Sequence, residues 1–81
     1  MIKIKYSSRY LSSRKKLIKN NPVFLSETIK TISLFTKNPK HPGLNLEKLK
    51  GSNIWSLRVD IRNRIFFLWE KENVALFISE A

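Results

Sequence analysis

Charged side chains suited to phosphate chemistry are grouped in the second half of the sequence. The run Glu47–Lys50 places one acid and two lysines directly before a glycine. Trp55 and Ser56 follow, then Arg58, and Arg64 opens an apolar run six residues later. Residues at the ends of adjacent strands converge on one concave face of a twisted sheet. There these groups could surround a single phosphodiester.

The chemistry that such a set of groups allows is cleavage of RNA without a metal ion. A base removes the proton of the ribose 2′-OH, which attacks the neighbouring phosphate, and an acid protonates the departing 5′ oxygen. Cations stabilise the dianionic transition state, and the planar fork of arginine suits bidentate contact with phosphate. We therefore assign catalysis to Glu47, Arg58 and Arg64, with Glu47 as the base, and expect no cofactor.

Other groups near these residues are expected to bind the RNA. They are Lys40, His41, Lys48, Lys50 and Arg62. His41 is the only histidine, and an unperturbed imidazole titrates near neutrality, although a histidine in a proline-bounded loop is more often incidental than catalytic. Taken singly, a Glu–Lys pair in a turn is usually solvated and contributes little.

The length and charge limit the kinds of protein that this chain can be. Its 81 residues allow one domain, residues 1–81, and carry a net charge of +10. Twelve of the 16 basic residues but only two of the six acidic residues fall within residues 1–50. This imbalance suggests a polyanionic partner, which could be nucleic acid, an anionic membrane or an acidic protein. General solubility is the alternative explanation of the charge.

Rare residue types exclude several kinds of site. No cysteine is present, which excludes a disulfide framework, a thiolate zinc site and a cysteine nucleophile. Two glycines cannot form a Gly-rich phosphate loop, and one histidine argues against a metal site of several imidazoles. Because no apolar run reaches the length of a signal peptide or a membrane span, we predict a cytoplasmic protein with no membrane partner.

The first half of the sequence predicts a strand and two helices. Apolar and basic residues alternate over Ile2–Tyr6, as in a half-buried strand. Ser7 or Ser8 is expected to cap a helix over residues 9–19, and Pro22 suits the first turn of a second helix that ends near Thr36. The residues predicted to face the core are Tyr10, Leu11, Leu17 and Ile18 on the first helix and Leu25, Ile29, Ile32 and Phe35 on the second.

The second half predicts strands over residues 54–60, 64–70 and 74–79, joined by short turns that imply antiparallel neighbours. Trp55 and Trp69 are predicted to lie in the core, with stacking on single-stranded bases as the minor alternative. The expected fold class is α+β. It has an N-terminal strand, a two-helix hairpin and a mainly antiparallel, twisted sheet of three to four strands, with one face free for a ligand.

The stretch from His41 to Trp69 resembles the RelE/ParE superfamily of toxin–antitoxin toxins, most of all its YoeB/Txe branch. The resemblance rests on the run from Glu47 to Gly51, on Trp55-Ser56 with Arg58, and on Arg64 before an apolar strand. These motifs are short, and their order and spacing carry the resemblance. The order strand, helix, helix, strands also fits that fold, so the resemblance covers nearly the whole chain.

The resemblance implies a RelE-like microbial ribonuclease fold and a toxin that cleaves mRNA in the A site of the 70S ribosome. By resemblance, Glu47 matches the general base and Arg64 the phosphate-stabilising arginine. Arg58, Lys48 and Lys50 match basic positions of the RNA-binding face. The implied partners are mRNA, ribosomal RNA and a cognate acidic antitoxin protein.

One departure from the family concerns the C-terminus. Toxins of this family continue past the last strand with a short segment that carries a histidine, a tyrosine or both, and these groups supply the acid or orient the reacting groups. This sequence ends at Ala81, where that segment is expected. A truncated sequence and a weakened or inactive relative are both open interpretations. The alternatives are a non-enzymatic ParE-type toxin that inhibits gyrase and a basic RNA-binding domain without toxicity.

Overall fold

The computed structural model describes residues 1–81, and its elements follow the predicted order. A strand is followed by two helices, a short 3-10 turn and four further strands. Their bounds are β1 Lys3–Tyr6, α1 Ser8–Lys19, α2 Pro22–Lys37, the 3-10 turn Pro42–Leu44, β2 Glu47–Lys48, β3 Trp55–Arg58, β4 Arg64–Lys71 and β5 Val74–Glu80. Neither helix is both long and apolar enough to cross a bilayer.

The strands form one mixed sheet in the order β1-β5-β4-β3-β2. Strands β2 to β5 are antiparallel to their neighbours, as the short turns predict. Strand β1 pairs parallel to β5, and the two helices carry the chain from β1 to β2 at the opposite edge of the sheet. The predicted α+β class is confirmed. The N-terminal strand and the three strands predicted in the second half are joined by a fifth, the two-residue strand β2.

The helix starts are set by local sequence. Ser7 caps α1, since its Oγ accepts a hydrogen bond of 3.0 Å from the Tyr10 N–H. Pro22 opens α2, where its missing N–H leaves no intrahelical bond unmade. Asn21 precedes it without a side-chain capping bond. Both predicted starts are thus confirmed.

The helices cover one face of the sheet through an aromatic core. Tyr10 of α1 and Phe35 of α2 are fully buried, with ring centroids 5.3 Å and 6.1 Å from that of Phe77 in β5. Phe35 also lies 5.2 Å from Phe67 in β4. Large aromatic rings dominate the energetics of so small a core, because each buries much apolar surface.

The buried face of α2 differs from the predicted stripe. Ile29, predicted to face the core, is 55% exposed, and Leu11 on α1 is also exposed. The buried side chains of α2 are Phe24, Thr28, Thr31 and Phe35. The difference arises because the Thr28 hydroxyl donates a hydrogen bond of 2.7 Å to a buried carboxylate of Glu80. The spacing of apolar residues in the sequence gives no signal for such a buried polar pair.

A buried polar cluster fastens both helices to the end of β5. Glu80 Oε1 accepts a hydrogen bond of 2.8 Å from the Tyr10 hydroxyl, and Oε2 accepts the bond from Thr28. The Glu80 N–H donates to Ser13 Oγ at 2.9 Å. Every buried polar side-chain atom of the chain has a partner, so this cluster carries no unsatisfied group.

The pKa values of two groups in this cluster are raised. Burial raises the pKa of Glu80, and the nearby charge of Asp60 adds to that effect. Hydrogen bonds from Thr28 and Tyr10 and the charge of Arg14 lower the pKa but do not outweigh burial. The pKa of Tyr10 is raised as well, first by burial and then by the Glu80 charge.

Candidate functional site

The pairing register places four polar residues on the sheet face that the helices leave open. Glu47 pairs with Ser56, and Arg58 pairs with Arg64. Residues two apart in a strand share a face, so all four side chains belong to one side. Leu57, between Ser56 and Arg58, is fully buried in the core on the other side.

Arg64 is held by three groups of its own chain. Its Nη2 lies 3.3 Å from Glu47 Oε2 and donates to the Asn45 carbonyl at 2.6 Å. Its Nε donates to Ser56 Oγ at 2.9 Å, and Ser56 is buried, so water competes little for that bond. Of the five guanidinium N–H groups, the two on Nη1 are left to meet a ligand.

Hydrogen bonds made by both the N–H and the carbonyl fix the backbone of Arg64. Its N–H donates to the Ala81 carbonyl at 2.7 Å, and its carbonyl accepts from the Ala81 N–H at 3.0 Å. Asn45 follows the buried Leu44 and takes the left-handed conformation, with φ 44° and ψ 52°. Asparagine tolerates this conformation, which turns the chain into β2 and places the Asn45 carbonyl against Arg64.

Glu47 stays accessible although it contacts Arg64. Its side chain is 68% exposed, whereas that of Arg64 is 27% exposed. An ion pair this exposed is screened by water and adds little to stability, so its importance is geometric. An exposed carboxylate beside a guanidinium can take a proton from a substrate whose anionic group the guanidinium binds.

Arg58 lies beside Arg64 in the pairing of β3 with β4, and its Nε donates to the Asp60 carbonyl at 3.4 Å. The Asp60 carboxylate accepts hydrogen bonds of 2.9 Å from the N–H groups of Arg62 and Asn63. Burial opposes the charge of Asp60, but these bonds and the Arg58 charge lower its pKa overall. The loop after β3 is therefore ordered by Asp60, with the Arg62 side chain exposed.

Lys48 and Lys50 are not brought together with Glu47 and Arg64. Lys48 pairs with Trp55, so it lies on the opposite face of β2 from Glu47. Lys50 is exposed in the β2–β3 turn, which the following glycine closes with φ 78°. The sequence-based expectation of one face for all these charges therefore holds for the acid and the arginines but fails for the lysines. A step of one residue along a strand reverses the side chain.

His41 and Lys40 lie in the loop after α2. The His41 Nδ1 accepts a hydrogen bond of 3.0 Å from the Gly43 N–H and so caps the 3-10 turn. This turn leads through the buried Leu44 into the segment that carries Glu47. One ring nitrogen of His41 thus has a structural partner, and Lys40 is exposed beside it.

No protein-family model matches the sequence, and no curated protein matches it. Solved structures match it over nearly the whole chain. YafQ from E. coli strain BL21(DE3) superimposes with a TM-score of 0.77 at 14% identity, covering 100% of this chain and 92% of YafQ. A YoeB/ParE toxin from Agrobacterium tumefaciens gives 0.76 at 15% identity, covering 96% and 94%.

A third similar structure is the heterotetrameric YoeB–YefM toxin–antitoxin complex from Staphylococcus aureus. It gives a TM-score of 0.74 at 17% identity and covers 98% of this chain and 93% of the matched chain. The chain has the RelE/ParE toxin fold. The fold predicted from the sequence motifs is thereby confirmed. At such low identity the RelE/ParE toxin fold does not by itself assign an activity, which has to be argued from the site.

No role was predicted from the sequence for two supports of Arg64, although Ser56 is part of the Trp55-Ser56 motif. The Ser56 hydroxyl could have been noticed as a polar group between two apolar residues of a strand. The Asn45 carbonyl had a weaker signal, an asparagine shortly after a Pro-Gly pair, which is typical of a turn. Both groups accept hydrogen bonds from the Arg64 side chain, whose direction follows from the pairing register of the strands.

Proposed function

We propose that this chain is the toxin of a toxin–antitoxin system and that it is an endoribonuclease acting on mRNA at the ribosome in the cytoplasm. The observation that carries the proposal is the contact between the exposed Glu47 carboxylate and the anchored Arg64 guanidinium on the open sheet face. The RelE/ParE toxin fold supports it at the level of architecture.

In the proposed reaction, Glu47 takes the proton of a ribose 2′-OH, and the 2′ oxygen attacks the adjacent phosphorus. Arg64 binds the phosphate through Nη1, and Arg58 on the same face supplies a second cation as negative charge develops. The bond to the 5′ oxygen breaks, and that oxygen takes a proton from the solvent, to which Glu47 then releases the proton that it took from the 2′-OH. The products are a 2′,3′-cyclic phosphate and a 5′-hydroxyl end, so atoms and charges balance.

The proposed protein partner is an acidic antitoxin. One structural neighbour is a toxin–antitoxin complex, YoeB with YefM. In this chain, helix α1 carries five basic residues and no acidic residue over Ser8–Lys19. An acidic, flexible protein that folds on binding could cover such a surface.

The cleavage test uses cell-free translation followed by primer extension on the mRNA. It compares the chain as it stands with a form extended after Ala81 by a segment carrying histidine and tyrosine. We expect ribosome-dependent cleavage that falls roughly 100-fold or more in Glu47→Gln and Arg64→Lys. Gln cannot take the proton, and Lys keeps the charge but loses the guanidinium fork. Arg9→Ala, at an exposed position of α1, is the matched control and should cleave like the parent protein. If neither form cleaves mRNA, the endoribonuclease proposal is wrong.

A gyrase-inhibiting toxin is the second candidate, since one structural neighbour is named a YoeB/ParE toxin. Inhibition of DNA supercoiling that persists in Glu47→Gln, with mRNA left intact, would favour it. The third candidate, a basic RNA-binding domain without toxicity, predicts normal growth on expression. Growth arrest that the product of the adjacent gene relieves would exclude that candidate.

A further inference from the structure

A second concave site lies at the opposite end of the strands from Arg58 and Arg64. It is a cavity of about 390 Å³, a size within the range of small-ligand sites. Its apolar walls are Ile2, Leu46, Trp55 and Trp69. Trp55 begins β3 and Trp69 lies near the end of β4, so both indoles stand away from the arginine end of the sheet.

The two indoles pack against the hydrophobic core, as predicted from the sequence, but are not enclosed by it. Both are only partly buried and line the cavity. The Trp69 ring packs edge-on against Phe67 at 5.3 Å and lies 5.9 Å from Phe35. These contacts fix its orientation, so little entropy is lost when a flat ligand stacks on it.

The rim of the cavity is mainly cationic. Lys40 and Lys71 lie on it together with one acid, Glu72. Lys48 lines an adjoining cavity that shares both tryptophans. None of these lysines takes part in a salt bridge of the chain, so their charges are not neutralised within the protein. An aromatic cavity with an excess of positive charge fits a flat, anionic ligand.

This cavity lies on the other face of the sheet from Glu47 and shares one lining residue with the site around Arg64. Leu46 lines it and also lines the cavity formed with Asn45, Glu47 and Arg64. Leu46 directly precedes the short edge strand β2, where Glu47 and Lys48 point to opposite faces. A single strand of nucleic acid that crosses this thin edge could therefore contact both.

We propose that the tryptophan cavity holds an unpaired nucleobase of the RNA whose reacting phosphate lies at Arg64. The base stacks on Trp55 or Trp69, and flanking phosphates contact Lys40, Lys48 and Lys71. Stacking on aromatic rings tolerates any base but requires that the base is unstacked from a duplex. The inference rests on the proposed function for its substrate, single-stranded RNA, and adds a subsite that the reaction itself does not require.

Trp55 and Trp69 are the only two tryptophans of the chain, so indole fluorescence reports on this cavity directly. The probe is a short 2′-O-methyl oligoribonucleotide, which cannot be cleaved by 2′-OH attack. We expect saturable quenching and binding at least about tenfold weaker for an abasic strand of equal length and charge. Equal binding and equal quenching by the abasic strand would overturn the proposal.

Paired variants separate stacking from packing. Trp69→Phe keeps an aromatic face, whereas Trp69→Leu keeps only apolar volume, so we expect the first to bind about as well as the parent and the second about tenfold more weakly. Lys71→Ala should weaken binding several-fold, and Lys15→Ala on α1 is its control. Lys71→Ala avoids any loss of folding caused by changing a tryptophan that packs on Phe67.

Two further outcomes separate this inference from the proposed function. Glu47→Gln should lose cleavage but keep the quenching, so failure of catalysis and failure of the base subsite are distinguishable. An acidic peptide with an aromatic side chain is the competing occupant. If it quenches the indoles while the oligonucleotide does not, the cavity is a protein-docking site and the proposal is wrong.

Discussion

At the scale of single residues, the arrangement around Arg64 is already complete without a ligand. The guanidinium is held by Glu47, Ser56 and the Asn45 carbonyl, so its donors point in fixed directions. Groups fixed in advance stabilise developing charge without reorganisation during the reaction. A lysine could restore the charge but not the fork that meets all these partners and a phosphate at once.

Ser56 is expected to act as a positioning residue through its hydrogen bond to Arg64 Nε. Ser56→Ala should lower kcat of RNA cleavage about tenfold with little change in KM, because the cation is still present but less well aimed. The lost bond should also cost about 1 kcal/mol of unfolding free energy. Kinetics on a short RNA substrate and urea denaturation measure the two effects.

The control for Ser56→Ala is Ser33→Ala, at an exposed position on α2. It should leave both quantities unchanged. A Ser56→Ala protein that is less stable but fully active would show that the hydroxyl only packs the strand.

At the scale of elements, Glu80 joins β5 to both helices. Its folded-state pKa lies above its ordinary value of 4.5, chiefly because of burial. The folded protein therefore holds this proton more tightly than the unfolded chain does. The resulting stabilisation is fully present below the ordinary pKa and is lost as the pH rises through the raised pKa.

We expect Glu80→Gln to remove this pH dependence, because the neutral amide mimics the protonated acid. The unfolding free energy of the parent protein, relative to Glu80→Gln, should decrease as the pH rises from about 4.5 through the raised pKa. Urea denaturation over a pH series measures it. Asp60, whose lowered pKa has the opposite effect, is present in both proteins and cancels.

Glu72→Gln is the matched control, since Glu72 is exposed in the β4–β5 turn. Its curve should parallel that of the parent protein over the whole series. Parallel curves for Glu80→Gln as well would mean that the buried cluster does not couple to pH.

The same elements show which features of the fold can be predicted from the sequence alone. Period-two alternation, the Ser7 cap and Pro22 are local signals. They located four of the five strands and both helix starts, but not the two-residue strand β2. The buried face of α2 could not be predicted, because Thr28 is buried through a hydrogen bond to a residue 52 positions away. Pairing across the sheet also depends on residues far apart in the sequence. The motifs predicted that Glu47 and Arg64 lie together. Only the pairing register shows that Lys48 faces the other side of the sheet.

At the scale of the whole molecule, the charge divides between two surfaces. The helices carry much of the net charge of +10, while the open sheet face and the tryptophan cavity carry a smaller set of cations. We infer that RNA engages the second set. Its members are Arg58, Arg64, Lys40, Lys48 and Lys71.

This division predicts the salt dependence of RNA binding. About five phosphate contacts to a single strand give a slope of about −3.5 in log K against log salt, or about a 100-fold loss for a fourfold rise in salt. The double variant Lys40→Ala/Lys71→Ala should make this slope shallower by about 1.4, because each lost contact removes about 0.7. Fluorescence titrations at several salt concentrations measure it.

Lys15→Ala/Lys16→Ala on α1 is the control for that measurement and should leave the slope unchanged. If the helix variant changes the slope and the cavity variant does not, RNA binds to the helical surface instead of the sheet.

The short length of strand β2 affects how readily the site opens. It pairs through only two residues at the edge of the sheet, yet it carries Glu47. So short an edge resists pairing with foreign strands, and it also opens at a lower free-energy cost than the central strands. Local opening of β2 would therefore separate Glu47 from Arg64 while the aromatic core stays folded. Global unfolding of the aromatic core is a slower and separate event.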